Sequence, residues 1–209
     1  MYIMMVFVMI CFSRFSRKQK LISIVTPVFL ALLYGVLIMS SVKEYQFMRI
    51  LAFIHPEKYA EGSGYMYVRI KELLSEAGWF GTGVNKELMH GAHTDFVFVG
   101  LTYYFGYLLA LILILLLALF AVRMLAISHQ IKYNYGKLLL VGATTLYAVP
   151  FLYNIGMTVG LVPITSMSLP FISYGLMPTL FNAFLMGIVL SVYRRKNLTL
   201  TSIQSTNSQ

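Results

Sequence analysis

Asp95 is the residue whose place in the chain most directly suggests chemistry. It is the only aspartate, His93 lies two residues before it, and an apolar run begins at Phe96 immediately after it. A carboxylate at a membrane boundary is partly desolvated, so it can accept a proton or bind a divalent cation. The same aspartate can also cap the helix that follows, by accepting hydrogen bonds from the first backbone N–H groups. The residues alone leave both roles open.

The residues just before Asp95 could form a metal site. Glu87, His90 and His93 follow one another at intervals of three, which on a helix places all three on one face, as zinc ligands require. Gly91 interrupts such a helix, and no fourth ligand is evident. The sequence therefore favours a loosely held divalent cation, magnesium or manganese, shared between Asp95 and a phosphate group of a substrate.

A second unusual segment, residues 154–175, lies within the longest uncharged run. It contains two prolines, three glycines and several hydroxyl side chains. This composition predicts a broken or re-entrant element between two membrane spans, which is tolerated at membrane depth only where it lines a cavity or is buried in protein. An ordinary tight turn is the alternative that the composition leaves open.

The elements that position these residues are membrane spans. Of the 209 residues, 59% are hydrophobic and 11% are charged, which is too apolar for a water-soluble domain. The stretch 1–13 is short for a crossing and is interpreted as a partial span, because its positive charges follow the apolar residues, unlike those of a signal peptide. A full span needs about 20 apolar residues, and the uncharged runs predict spans at 21–42, 96–122, 138–160 and 172–193.

The distribution of charge predicts the orientation. Ten of the 16 lysines and arginines lie at 14–20, 123–137 and 194–196, whereas all seven acidic residues lie between 43 and 95. By the positive-inside rule the basic segments face the cytoplasm and 43–95 is a large outer loop. This topology and contact with anionic lipid explain the net charge of +9, so the sequence predicts no nucleic-acid partner. The single cysteine excludes an internal disulfide.

The predicted fold class is all-α, a polytopic membrane helical bundle. It has about four full spans and an N-terminal partial span, with the outer loop between the second and third. Within that loop, 45–54 and 65–77 have helical spacing and are predicted to lie along the membrane surface. The membrane domain is expected to cover 1–196, followed by a disordered cytoplasmic tail at 197–209 that is rich in Ser, Thr, Asn and Gln.

Two runs of residues resemble a known family. The run 92–98, Ala-His-Thr-Asp-Phe-Val-Phe, resembles the segment before the eighth span of the SEDS (shape, elongation, division and sporulation) glycosyltransferases. The run 163–175, with its core Ser-Leu-Pro-Phe-Ile-Ser-Tyr-Gly, is similar to the signature between the last two spans of that family. Shorter matches follow in the same order at 49–53, 62–65, 79–81 and 154–156.

The resemblance implies a ten-span membrane enzyme that polymerises lipid II together with a class B penicillin-binding transpeptidase. In that reaction the 4-hydroxyl group of the acceptor sugar attacks the anomeric carbon of the undecaprenyl-linked glycan and expels undecaprenyl pyrophosphate. Carried over residue by residue, the resemblance implies that Asp95 is catalytic and holds the divalent cation, if one is used. It implies that substrate is bound by His93, Thr94, Arg49, Asn154, Thr165, Ser173, Tyr174 and Gly175.

The chain also departs from the family pattern. Family members are nearly twice as long, and their first five spans and part of the sixth have no counterpart here. Met66 and Arg69 stand where glutamines are usual, and Leu176 and Met177 follow Gly175 where Gly-Ser is common. The resemblance is therefore to the C-terminal half of a divergent paralogue, with a separate N-terminal half as a further expected partner.

Two functions of different classes remain open. The first is a peptidoglycan glycosyltransferase acting in division, cell-shape control or sporulation, in the bacterial cell membrane with a cytoplasmic C-terminus. The second is a non-catalytic membrane partner, or an inactive remnant of the family. A carrier for a lipid-linked sugar is disfavoured, because no charged residue lies within the predicted spans.

Overall fold

The structure is a computed structural model that describes residues 2–12, 25, 44–82, 91–131 and 133–206. Across these ranges the regular structure is entirely helical, which confirms the predicted all-α class. The α-helices are α1 (Tyr2–Phe12), α2 (Glu44–Ile54), α3 (Tyr65–Glu76), α4 (Val97–Gln130), α5 (Asn134–Thr158) and α6 (Leu176–Thr206), with a short 3₁₀ helix at Pro56–Tyr59.

Three helices are long and apolar enough to cross a membrane. They are Val97–Gln130, Asn134–Thr158 and the Leu176–Arg195 part of α6, and they correspond to the predicted spans at 96–122, 138–160 and 172–193. The predicted span 21–42 lies outside the described residues apart from Val25, so the total of four stays a prediction. Helix α1 has 11 residues and, at about 1.5 Å per residue, is too short to cross.

Two predicted boundaries differ from the structure at α6. This helix begins at Leu176 rather than at 172, because the backbone N–H groups of Ile172 and Ser173 both bond to the carbonyl oxygen of Leu169 in a turn. It continues to Thr206, where a disordered tail from 197 was predicted. Residues 197–206 contain no glycine or proline, and extending an existing helix costs far less than starting one.

The chain divides into two compact units. The first contains α1, the part of α4 from Ala118, the part of α5 up to Val149, and α6 from Thr179. Aromatic contacts occur within it: the Phe120 and Tyr147 rings meet edge-on with centroids 5.1 Å apart. The second unit contains α2, α3, the beginning of α4, the end of α5 and the segment leading to Pro178. Both predicted site motifs belong to this second unit.

The core of the second unit forms where α3 meets the start of α4. Ile70 and Leu73 of α3 share one buried cluster with Val99 and Tyr103 of α4 and with Met157 of α5. Burying an aliphatic side chain of this size stabilises a fold by about 1.5–3 kcal/mol. The apolar face of α3 was predicted to lie in the membrane interface, but the structure places Ile70 and Leu73 in the protein core instead.

Helix α2 differs from α3 in leaving its apolar face uncovered. Phe47, Ile50 and Ile54 lie three and four residues apart and are each more than half exposed, so they form one stripe on the helix. The interfacial position predicted for this part of the outer loop therefore stays a prediction for α2.

Helix α4 is broken at Gly106, where φ is 85° and ψ is 173°. A side chain at this position would overlap the carbonyl group of Trp79, so only glycine fits. The break frees the N–H groups of Tyr107 and Leu108, which donate instead to the carbonyl oxygens of Gly78 (3.1 Å) and Trp79 (3.2 Å). The part of the outer loop that follows α3 is thereby joined to α4 through the backbone.

Candidate functional site

Asp95 lies in a tight turn that leads into α4. The N–H groups of Thr94 and Phe96 both donate to the carbonyl oxygen of Gly91, at 3.0 and 3.1 Å, and the Thr94 hydroxyl donates to the same oxygen at 3.2 Å. Asp95 is half-buried. Within the described part of the chain its carboxylate makes no hydrogen bond or ion pair, so capping of α4 receives no support from the geometry.

The second motif forms a long irregular segment. Seventeen residues, 159–175, separate the end of α5 at Thr158 from the start of α6 at Leu176. Residues 163–169 have no regular secondary structure, and the length excludes an ordinary tight turn. Of the two alternatives drawn from composition, the broken element is therefore the one that the structure contains.

Two hydrogen bonds join this segment to the turn that carries Asp95. The Ser173 hydroxyl donates to the carbonyl oxygen of Thr94 at 2.6 Å and accepts the N–H group of Leu169 at 2.7 Å. The N–H group of Tyr174 donates to the carbonyl oxygen of His93 at 2.9 Å. Hydrogen bonds that involve backbone groups thus bring together two motifs that lie about 80 positions apart in the sequence.

Asn154 supplies the most central of these contacts. Its side chain is fully buried, and its Nδ2 group donates both to the carbonyl oxygen of Asp95 at 2.8 Å and to that of Met167 at 2.5 Å. Its Oδ1 atom is buried and has no hydrogen-bond partner among the described residues. The substrate-binding role predicted for Asn154 stays a prediction, and its two bonds also place the fully buried amide to hold the two motifs together.

Two tyrosines that the sequence analysis did not single out also bond to the second motif. The Tyr67 hydroxyl of α3 accepts the N–H group of Ile164 at 2.9 Å, and the Tyr153 hydroxyl donates to the carbonyl oxygen of Pro163 at 2.9 Å. Tyr67 and Ile164 are 97 positions apart. No local sequence pattern signals a contact over that separation.

The remaining predicted site residues differ in their exposure to solvent. His93, Thr165 and Tyr174 are exposed, and Tyr174 is 78% exposed, whereas Ser173 is buried and Gly175 is half-buried. Arg49 is exposed on α2 and lies at a cavity of about 460 Å³, whose other lining residues are Gly62, Ser63, Met66, Tyr67 and Ile164. Ile164 belongs to the second motif, so Arg49 faces the same region.

Charged groups of the outer loop pair with one another. Arg69 bonds Glu72 at 2.6 Å, and this hydrogen bond raises the pKa of the Arg69 guanidinium. Lys71 and Glu57 lie 3.3 Å apart, but both are more than three-quarters exposed, so the pair contributes little to stability.

The metal-binding capacity of the described residues is small. They contain no group of three or more His, Cys, Asp or Glu side chains that could hold an ion, while Glu87 and His90 lie outside the described ranges. The zinc alternative needs Glu87 and His90, so the described residues do not test it. Magnesium is commonly held by one or two carboxylates together with substrate phosphates, and Asp95 fits such a donor set.

Comparison with known proteins gives consistent results. The family model for the FtsW/RodA/SpoVE group, described as "Cell cycle protein", matches residues 1–198. A "Probable peptidoglycan glycosyltransferase FtsW" from Trichlorobacter lovleyi is 28% identical over 153 residues, covering 71% of this chain and 40% of the relative. "Stage V sporulation protein E" from Bacillus subtilis is 28% identical over 155 residues, covering 72% and 42%.

A solved structure shares the fold. It is described as "Structural coordination of polymerization and crosslinking by a peptidoglycan synthase complex", and its matching chain has a TM-score of 0.67 and 26% identity. The match covers 92% of this chain and 53% of that one. The present chain spans about two fifths of the length of the two curated relatives.

Proposed function

Since this chain belongs to the FtsW/RodA/SpoVE family of cell cycle proteins, we propose that it is a peptidoglycan glycosyltransferase that polymerises lipid II. Its membrane location follows from the family and from three long apolar helices. The relatives named peptidoglycan glycosyltransferase FtsW and stage V sporulation protein E support an activity in cell-wall synthesis. The observation that carries the proposal is the Asp95 carboxylate, which has no hydrogen-bond or ion-pair partner among the described residues. Its segment is held beside the second motif by Asn154 and Ser173.

The proposed reaction requires a base for a sugar hydroxyl group. As the acceptor's 4-hydroxyl oxygen forms a bond to the anomeric carbon of the donor, its proton passes to the Asp95 carboxylate. The bond between that carbon and the pyrophosphate oxygen breaks, and undecaprenyl pyrophosphate leaves with the electron pair. A carboxylate free of competing hydrogen bonds suits this role, because its lone pairs are available to the proton.

Substrate binding is proposed for the exposed residues around Asp95. His93, Thr165 and Tyr174 offer polar groups next to the carboxylate's segment, and Arg49 offers a positive charge for a phosphate group. Ser173, Thr94 and Gly175 are assigned to the same wall, with Ser173 acting through its bond to the Thr94 carbonyl group. A magnesium or manganese ion held by Asp95 would stabilise negative charge on the departing pyrophosphate.

The proposal is tested by assembling the polymerase from purified parts. The chain is reconstituted in liposomes with labelled lipid II in three arms: alone, with a class B penicillin-binding transpeptidase, and with the N-terminal spans of a full-length relative. Glycan polymer is expected in at least one arm, and its loss with a chelator and return with Mg²⁺ or Mn²⁺ would support the cation. No polymer in any arm would reject the activity and favour a non-catalytic membrane partner.

The proposed orientation places the segment around Glu61 outside the cell and the C-terminus in the cytoplasm. Glu61 is exposed, so in a Cys11→Ser background Glu61→Cys should react with a membrane-impermeant maleimide in intact cells. Tyr135→Cys, 76% exposed in the first turn of α5, is the matched position and should react only after lysis. The reverse pattern would invert the topology.

A further inference from the structure

The part of the outer loop that follows α3 presents two large aromatic side chains to the surroundings. Trp79 is 67% exposed and Phe80 is 83% exposed, in a turn flanked by Gly78 and Gly81. No charged residue lies between 77 and 85. Two adjacent rings left this far outside a protein core mark an interaction surface rather than a packing element.

The turn is held in place by the backbone. Besides the two bonds that α4 donates to Gly78 and Trp79, the N–H group of Thr82 donates to the carbonyl oxygen of Tyr103 at 3.2 Å, so bonds lie on both sides of the rings. The Trp79 ring also meets the Tyr107 ring edge-on, with centroids 6.4 Å apart. The rings are therefore presented from a fixed support on α4.

The surface that continues from these rings is the lipid-facing side of a span. Phe105, Leu108 and Leu109 of α4 are 54%, 49% and 40% exposed, and Leu108 is bonded directly to Trp79. In an apolar spanning helix such side chains contact acyl chains. The aromatic turn thus lies beside a surface that lipid covers.

The length of α4 places the turn at the edge of the hydrocarbon layer. The uncharged stretch of this part of the chain runs from Phe96 to Val122. Counted back from Arg123, its last 18 residues reach Phe105 and rise about 27 Å at 1.5 Å per residue. The hydrocarbon core is about 30 Å thick. With Arg123 at one boundary, the break at Gly106 lies at the other, ten residues after the predicted start of the span at 96. Tryptophan and tyrosine side chains concentrate at such boundaries in membrane proteins.

We propose that the Trp79–Phe80 turn is a membrane anchor, whose two rings insert into the interfacial layer among the glycerol and carbonyl groups of phospholipids. The anchor fixes the height of this part of the outer loop relative to the bilayer. It depends on the membrane location of the chain and not on the proposed polymerase activity.

Trp79 is the only tryptophan in the chain, so the intrinsic fluorescence of the full protein reports on this site alone. In phosphatidylcholine liposomes, lipids brominated near the carbonyl end of the acyl chain should quench the emission at least about twofold more than lipids brominated near the methyl end. The reason is that interfacial groups reach only about 5–10 Å deep. Iodide should quench it several-fold less than it quenches a free tryptophan analogue. Emission that iodide quenches as strongly as that of the free analogue, and that neither lipid quenches, would overturn the proposal. It would indicate that the two rings bind a protein partner instead.

Phe80→Ser provides a second measurement with the same reporter. Losing one inserted ring should shift the Trp79 emission to longer wavelength and raise its iodide quenching about twofold or more. Tyr135→Ser, an exposed aromatic position in the other unit, should leave both quantities unchanged. An unaltered Trp79 signal in the Phe80 variant, with native helix content by circular dichroism, would contradict joint insertion.

Discussion

Asp95→Asn is expected to lower lipid II polymerisation by about 100- to 10,000-fold, the usual contribution of a general base, in whichever reconstituted form of the protein is active. Asparagine keeps the size of aspartate and can still cap a helix, but it cannot accept the proton of a sugar hydroxyl group or supply charge to a cation. Membrane insertion and thermal stability should therefore remain close to those of the parent protein. The measurement is the amount and length of glycan formed from labelled lipid II.

Glu57→Gln is the matched control for this experiment. It makes the same chemical change at an outer-loop carboxylate that is exposed and lies 3.3 Å from the Lys71 ammonium group, so polymerisation should stay near the parent value. Near-normal polymer from the Asp95 variant would remove the residue from the catalytic role. Equal losses in both variants would attribute the effect to the charge of the loop.

Asn154→Leu is expected to destabilise the site by about 1–3 kcal/mol, because it leaves the part-buried carbonyl groups of Asp95 and Met167 without their donor. Leucine has the same branched arrangement of four side-chain heavy atoms as asparagine and is larger, so the change removes hydrogen bonds without opening a cavity. The melting temperature of the purified protein should fall. At temperatures where the variant stays folded, kcat should decrease more than KM changes, since Asn154 is fully buried.

The control for Asn154 is Asn134→Leu, at the exposed start of α5. It makes the same replacement away from both motifs and should alter neither kcat nor the site's stability appreciably. An unchanged melting temperature and kcat in the Asn154 variant would show that the two carbonyl groups do not need this donor. A rise in KM alone would assign Asn154 to substrate binding.

Much of the helical architecture could be predicted because its signals are local. The outer-loop helices predicted at 45–54 and 65–77 agree with α2 and α3 to within one residue at each end, since helical periodicity needs only a short window. The break at Gly106 could not be predicted from the sequence, because a single glycine inside an apolar run is tolerated in a span. What fixes that glycine is the carbonyl group of Trp79, which arrives from elsewhere in the chain.

The candidate site could be predicted only in part. Asp95 and the segment 154–175 stand out by position and composition, and the family resemblance assigns roles to their residues. Neither says which side chains bind substrate and which hold the two motifs together. The double donation by Asn154 and the acceptance by Tyr67 depend on separations of 59 and 97 positions. Burial and direction of a side chain at such range follow from tertiary packing, which neither composition nor spacing records.

The bonds that frame Asp95 also set an order of assembly during synthesis. The carbonyl group of Thr94 can accept its hydrogen bond only after Ser173, 79 positions later, has been synthesised. At about 5–20 residues per second this takes roughly 4–16 s of translation. Closing loops of this length carries an entropic cost that is repaid only when the final contact forms. The segment with the carboxylate therefore enters the membrane environment unfinished, and α6 must follow the irregular segment into place before the frame can close.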